Sequence, residues 1–137
     1  MILQHCNPTN ATQVWSLAKP ILELALKHSF MEANINDVYE QILSGNQLLW
    51  LGLENNKVLC AGTTTVVVYP RKNVLRIILF ASKTGYAEYL LEAFGKMQSY
   101  AVQNNYDAIE TWARKGVSKI IKWDHEYSVL VKQLKEN

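Results

Sequence analysis

The stretch from Val74 to Asn104 constrains this chain more than any other. Val74 to Ala81 is an apolar run, Ser82-Lys83-Thr84-Gly85-Tyr86-Ala87 is a short polar break, and a long amphipathic segment follows. The run Ile77-Ile78-Leu79-Phe80 has no polar alternation, which predicts a strand buried on both faces and helices on both sides of its sheet. After the break, Ala87, Leu90, Leu91, Phe94, Met97, Ala101 and Val102 recur at helical spacing. Glu88, Glu92, Lys96, Gln98 and Gln103 fill the other positions. Asn104-Asn105 ends the helix. A strand-to-helix turn of this kind points free backbone N–H groups at solvent, where an anion can sit. Gly85 tolerates positive φ and a close backbone approach, Ala87 leaves room beside it, and Lys83 adds a cation.

The rest of the chain builds outward from this unit. Met1 to Cys6 reads as a first strand and Asn7-Pro8-Thr9-Asn10 as a turn. From Thr12, apolar residues at helical spacing predict a helix capped by Asn10 or Thr12, kinked or divided at Pro20. Phe30 to Ile35 connects it to a second helix, with Asn36 as N-cap and Gly45 as stop. Gln47–Leu53 and Val58–Tyr69 read as strands around a hairpin turn at Glu54-Asn55-Asn56-Lys57, and Pro70 to Asn73 makes the next turn. Tyr106 to Trp112 is a strand, Arg114-Lys115-Gly116 a break, Val117 to Trp123 a short helix and Glu126 to Leu134 a closing strand. The order predicts an α+β fold, an α/β/α sandwich with a mixed, mainly antiparallel central sheet flanked by helices.

At 137 residues the chain is expected to form a single domain, residues 1–137. A 49% hydrophobic and 19% charged composition is that of a folded protein. The net charge of +2 offers no strong field for nucleic acid, and no apolar run approaches the length of a membrane span. Met1 to Pro8 lacks the pattern of a secretory signal, and Cys6 and Cys60 lack metal or redox spacing, so reduced, cytosolic thiols are expected. His5, His28 and His125 are scattered, and no metal site is expected. An exposed tryptophan among Trp15, Trp50, Trp112 and Trp123 would mark a protein interface.

This order of elements, with the Gly85 turn after a central strand, resembles the GNAT superfamily of acyl-CoA-dependent N-acetyltransferases over nearly the whole chain. In that family the turn has the pattern R/Q-x-x-G-x-G/A. Gly85 and Ala87 match its end, and Ser82 stands where the family has Arg or Gln. The chain also resembles short GNAT-like proteins of tailed bacteriophages, through Tyr69-Pro70-Arg71-Lys72-Asn73-Val74-Leu75-Arg76-Ile77, Asp107-Ala108-Ile109-Glu110, Arg114-Lys115-Gly116 and Tyr127-Ser128-Val129-Leu130-Val131-Lys132.

The resemblance implies that Phe80, Ala81, Ser82, Lys83, Thr84, Gly85, Tyr86 and Ala87 contact acetyl-CoA. Acetyl transfer to an amine needs a base and an acid for the leaving thiolate. Val74 to Ala81 carries no carboxylate, which leaves Glu110 on the neighbouring strand as the candidate base. Ile120, Ile121 and Trp123 occupy the region where the family often has its tyrosine acid, so Tyr127, with Tyr106 nearby, is the candidate acid. Trp123-Asp124-His125-Glu126 replaces a longer family connection. Two functions are compatible with these residues. One is an N-acetyltransferase with an acyl-CoA and an amine acceptor. The other is a non-catalytic virion-assembly or host-interaction module with a phage or host protein partner. Both imply the host cytoplasm, the second also the virion.

Overall fold

The computed structural model describes residues 1–27, 33–83, 85–112, 117–124 and 130–135. The elements are β1 (Ile2–Cys6), α1 (Pro8–Leu26), α2 (Ile35–Leu43), β2 (Leu48–Glu54), β3 (Lys57–Tyr69), β4 (Lys72–Ser82), α3 (Tyr86–Gln103), β5 (Ala108–Thr111) and α4 (Val117–Ile121). The five strands form one sheet in the order β1-β2-β3-β4-β5, antiparallel except for the parallel pair β4–β5. The expected mixed, mainly antiparallel sheet with helices on both faces is the observed architecture.

Two apolar clusters hold the layers together. On one face, Ala18, Ile21 and Leu22 of α1 and Val38 and Ile42 of α2 pack over Leu49, Leu51, Ala61 and Ala81. Trp15 of α1 stacks on Tyr39 of α2, with ring centroids 4.4 Å apart. On the other face, Leu90, Ala93, Phe94 and Met97 of α3 cover Trp50 and Ile77, joined by Val117 of α4. Trp50 is buried, and its indole N–H donates to Thr64 Oγ1 at 2.9 Å, so no polar atom of the ring is stranded. Each face thus removes a continuous apolar surface from water, the main favourable term in folding.

Several local expectations need correction. Helix α1 begins at Pro8, not after Thr12: Asn7 is the cap, its Oδ1 accepts the Asn10 N–H at 2.8 Å, and Pro8 fits the first turn because its missing N–H had no partner to lose. The helix runs through Pro20 without dividing. Pro20 and Ser16 are both exposed, so the Ser16 carbonyl that Pro20 cannot satisfy meets water. Helix α2 is capped by Asn34, not Asn36. A reciprocal box with Asp37 satisfies two donors there, at 2.9 and 3.0 Å. In α3 the stripe is narrower than expected. Leu91 is 50% and Val102 69% exposed, because the sheet below reaches only one side of the helix.

Strand β5 is also shorter than the expected Tyr106–Trp112. The closing strand expected over Glu126–Leu134 is not formed in its described part. Residues 130–134 carry no strand, and Leu130 is 92% exposed; the alternating pattern there finds no sheet edge among the described residues. Residues 125–129, and the break at Arg114-Lys115-Gly116, lie outside the described residues.

Candidate functional site

The geometry of the site begins with a bulge. The β3–β4 register slips between Thr63 and Thr64, which face Leu79 and Ile77, so Ile78 is an extra residue on β4. The parallel pairing of β4 with β5 ends at the same level, at Ile77 and Thr111, where Thr111 Oγ1 donates to the Ile77 carbonyl at 3.1 Å. Beyond this point β4 runs on alone on that side from Ile78 to Ser82 among the described residues, and the two strands leave a fork. Gly62 makes the bulge fit, since a Cβ there would stand 2.6 Å from the Leu79 carbonyl oxygen.

Past the fork lies the Gly85 turn. Phe80, Ala81 and Ser82 end β4, and Phe80 packs edge-on against Phe94 of α3, with centroids 5.5 Å apart. The Lys83 N–H donates to the Leu59 carbonyl at 2.9 Å and anchors the turn to β3. Gly85 takes the left-handed conformation, φ +60°, at the N-cap of α3. Tyr86 begins the helix and Ala87 is exposed in its first turn. Thr84 lies outside the described residues.

The three long helices differ at their starts. Asn7 and Asn34 cap α1 and α2, but among the described residues no side chain caps α3. Its first N–H groups and the positive end of its dipole are therefore left for another acceptor. Ser82 Oγ, buried nearby in sequence, also has no hydrogen-bond partner among the described residues. The surrounding charge opposes this. Glu88 lies in the first turn, and the Tyr89 hydroxyl makes a long 3.5 Å bond to Glu54 Oε2. Partial burial, then the Glu54 carboxylate, push the Tyr89 phenol above its usual range.

The second group of residues sits at the base of the fork. Glu110 lies opposite Arg76 in the β4–β5 register. Arg76 Nε donates to Glu110 Oε1 at 2.8 Å, with each side chain 25% exposed. The Tyr69 hydroxyl reaches both Glu110 oxygens, at 3.1 and 3.3 Å, and accepts from Arg76 Nη2 at 3.3 Å. The Arg76 guanidinium lies 4.6 Å from the centre of the Trp112 ring, and Trp112 is 63% exposed. By strand alternation this cluster lies on the face of α1 and α2, opposite Ile77 and Ile109. It lies about 20 Å along β4 from Ser82, at roughly 3.3 Å per residue.

The residues expected to contact acetyl-CoA follow one another in the chain, but Phe80 packs on Phe94 and Ala81 is buried in the cluster with α1 and α2, while Glu110 belongs to a separate, ion-paired cluster. Tyr127 lies outside the described residues. The participation of Tyr69, Arg76 and Trp112 was not read from sequence. The one available signal was Arg76 itself, a lone charge inside an apolar strand. Among the described residues no group of three or more His, Cys, Asp or Glu side chains is placed to hold a metal ion, and no helix is long and apolar enough to cross a membrane.

No protein-family model matches the sequence, and no curated protein matches it. Solved structures do. An aminoglycoside acetyltransferase from an uncultured soil metagenomic sample, solved with sisomicin, superposes with a TM-score of 0.70 at 12% identity, over 99% of this chain and 96% of its own. A ribosomal-protein-alanine N-acetyltransferase from Brucella melitensis gives a TM-score of 0.69 at 7% identity, over 98% and 100%. A predicted acetyltransferase from Clostridium acetobutylicum, solved with acetyl-CoA, gives 0.65 at 13% identity, over 97% and 96%. The chain therefore has the fold of the GNAT acetyltransferases.

Proposed function

We propose that this protein is an acyl-CoA-dependent N-acetyltransferase that holds its cofactor at the Gly85 turn. The observation that carries the reading is the uncapped start of α3, opened by a left-handed Gly85 and preceded by the orphan hydroxyl of Ser82. These residues fit a pyrophosphate: the amides of the first turn would donate to it and Lys83 would add a cation. Bound there, acetyl-CoA supplies an activated acetyl group for an amine. On the side that faces β5, the backbone of β4 beyond Ile77 has no strand beside it among the described residues, so the N–H groups directed to that side are available to polarise a thioester carbonyl. Glu110 and Tyr127 are the proposed base and acid. The reading predicts that acetyl-CoA raises the melting temperature and that Gly85→Glu abolishes the rise. A flat titration up to millimolar acetyl-CoA refutes it.

A second reading is a phage-type, non-catalytic module that acts in virion assembly or on a host protein, in the host cytoplasm or on the particle. The acidic side chains at the turn, Glu88 and Glu54, and the engagement of Glu110 by Arg76 favour it. The exposed Trp112 would then belong to the partner surface. Measured acetyl transfer, together with purified particles that lack this protein by mass spectrometry, counts against it.

A further inference from the structure

The Arg76–Glu110 cluster borders a cavity of about 390 Å³, lined by Tyr69, Pro70, Arg71, Lys72 and Glu110. That volume falls within the range of small-molecule sites. We infer that this cavity is the acceptor subsite and takes a zwitterion, an amine that also carries a carboxylate or phosphate. The inference rests on the acetyltransferase reading and names its substrate class.

Charge and unused hydrogen-bonding capacity select the ligand. Among the described residues Glu110 is the single carboxylate lining the cavity. Its Oε1 accepts from Arg76 Nε at 2.8 Å and from the Tyr69 hydroxyl at 3.1 Å, whereas among the described residues Oε2 receives only the 3.3 Å contact from Tyr69. One oxygen therefore keeps room for an ammonium donor. Arg76 is held in place from the side by Trp112, which fixes the carboxylate it grips. The rim has the opposite sign. Arg71 and Lys72 are exposed at the β3–β4 turn, and Lys72 Nζ sits 5.5 Å from the centre of the Tyr69 ring. The nearby carboxylate of Asp107 does not line the cavity, and it accepts the Asn73 N–H at 2.8 Å. With Glu110 offset by Arg76, the cavity carries a positive excess from two cations. Such a site disfavours a polycation, which needs several carboxylates, and favours an amine with its own anion.

Calorimetry without acetyl-CoA tests this independently of the Gly85 turn. The probes are the dipeptide Asp-Phe, its N-acetylated form and sisomicin. Asp-Phe should bind, and loss of its ammonium on N-acetylation should weaken it about tenfold. The double variant Arg71→Glu/Lys72→Glu should keep its melting temperature, because both side chains are exposed, and lose Asp-Phe. The milder Arg71→Gln/Lys72→Gln variant should weaken it. Sisomicin binding as tight as Asp-Phe, indifference to the charge changes, or no binding of Asp-Phe overturns the inference. A normal acetyl-CoA thermal shift alongside that failure leaves the cofactor reading standing and removes only this one.

Discussion

Two glycine-to-alanine substitutions should move stability in opposite directions, and the structure says why. At Gly62 a Cβ would stand 2.6 Å from the Leu79 carbonyl oxygen and 3.4 Å from Phe80 Cδ1. The first neighbour is backbone of the paired strand and cannot rotate away. Relief requires β3 and β4 to part at the Ile78 bulge, an overpacking cost of about 1–3 kcal/mol. The lower entropy of the unfolded chain returns about 0.4–1 kcal/mol. The net loss is about 0–2.6 kcal/mol, centred on about 1.3 kcal/mol, which is a fall in Tm of roughly 5 °C for a chain of this size. At Gly95, inside α3 and exposed, a Cβ meets nothing within 4 Å. Alanine there gains about 0.5–1 kcal/mol from helix propensity. Differential scanning calorimetry of both variants checks the pair. A Gly62→Ala protein that melts at or above the wild type refutes the assigned close approach, and with it the bulge geometry that opens the fork.

Three further outcomes are expected. Thr63 is fully buried with no partner for its Oγ1, so Thr63→Val, which keeps the shape and removes the stranded hydroxyl, should stabilise by about 1 kcal/mol in urea denaturation. Arg76→Met should cost more than the double change Arg76→Met/Glu110→Gln, because the single change leaves a half-buried carboxylate with only Tyr69; a cycle with zero coupling would remove the ion pair as a structural element. Burial pushes the Cys60 thiol up to about 11 from its ordinary 9 and raises Cys6 as well, so neither should react with a disulfide reagent at pH 8 in the folded protein. Because the unfolded thiolate forms first as pH rises, this linkage contribution is constant below about pH 9 and falls between 9 and 11, which pH-dependent denaturation checks.

The legible part of the fold was the part set by local rules. The two-residue hairpin at Asn55-Asn56 was readable because both residues adopt left-handed φ, 52° and 63°, as asparagine tolerates. Sequence alone does not select the caps, because two asparagines stand near the start of each of α1 and α2, Asn7 with Asn10 and Asn34 with Asn36. Asn7 and Asn34 were selected by which side chain could reach the third amide, a matter of three-dimensional geometry. The face of Leu91 and Val102 was misjudged because helical spacing does not tell how wide a surface the sheet presents.

Local rules are enough to set the unit from Val74 to Asn104: a largely apolar strand with one charge at Arg76, a glycine turn and an amphipathic helix follow from periodicity and backbone freedom. Tertiary structure decided what surrounds that unit. The bulge at Ile78, the fork after Ile77 and the facing of Arg76 with Glu110 all depend on strand register. The pairs that define the bulge and the fork, such as Thr64 with Ile77 and Arg76 with Glu110, join residues distant in sequence, and a one-residue slip would turn every side chain to the opposite face. The start of α3 depends on both levels. Gly85 announces the turn in the sequence, whereas the absence of a capping side chain and the stranded hydroxyl of Ser82 exist only once the chain is folded.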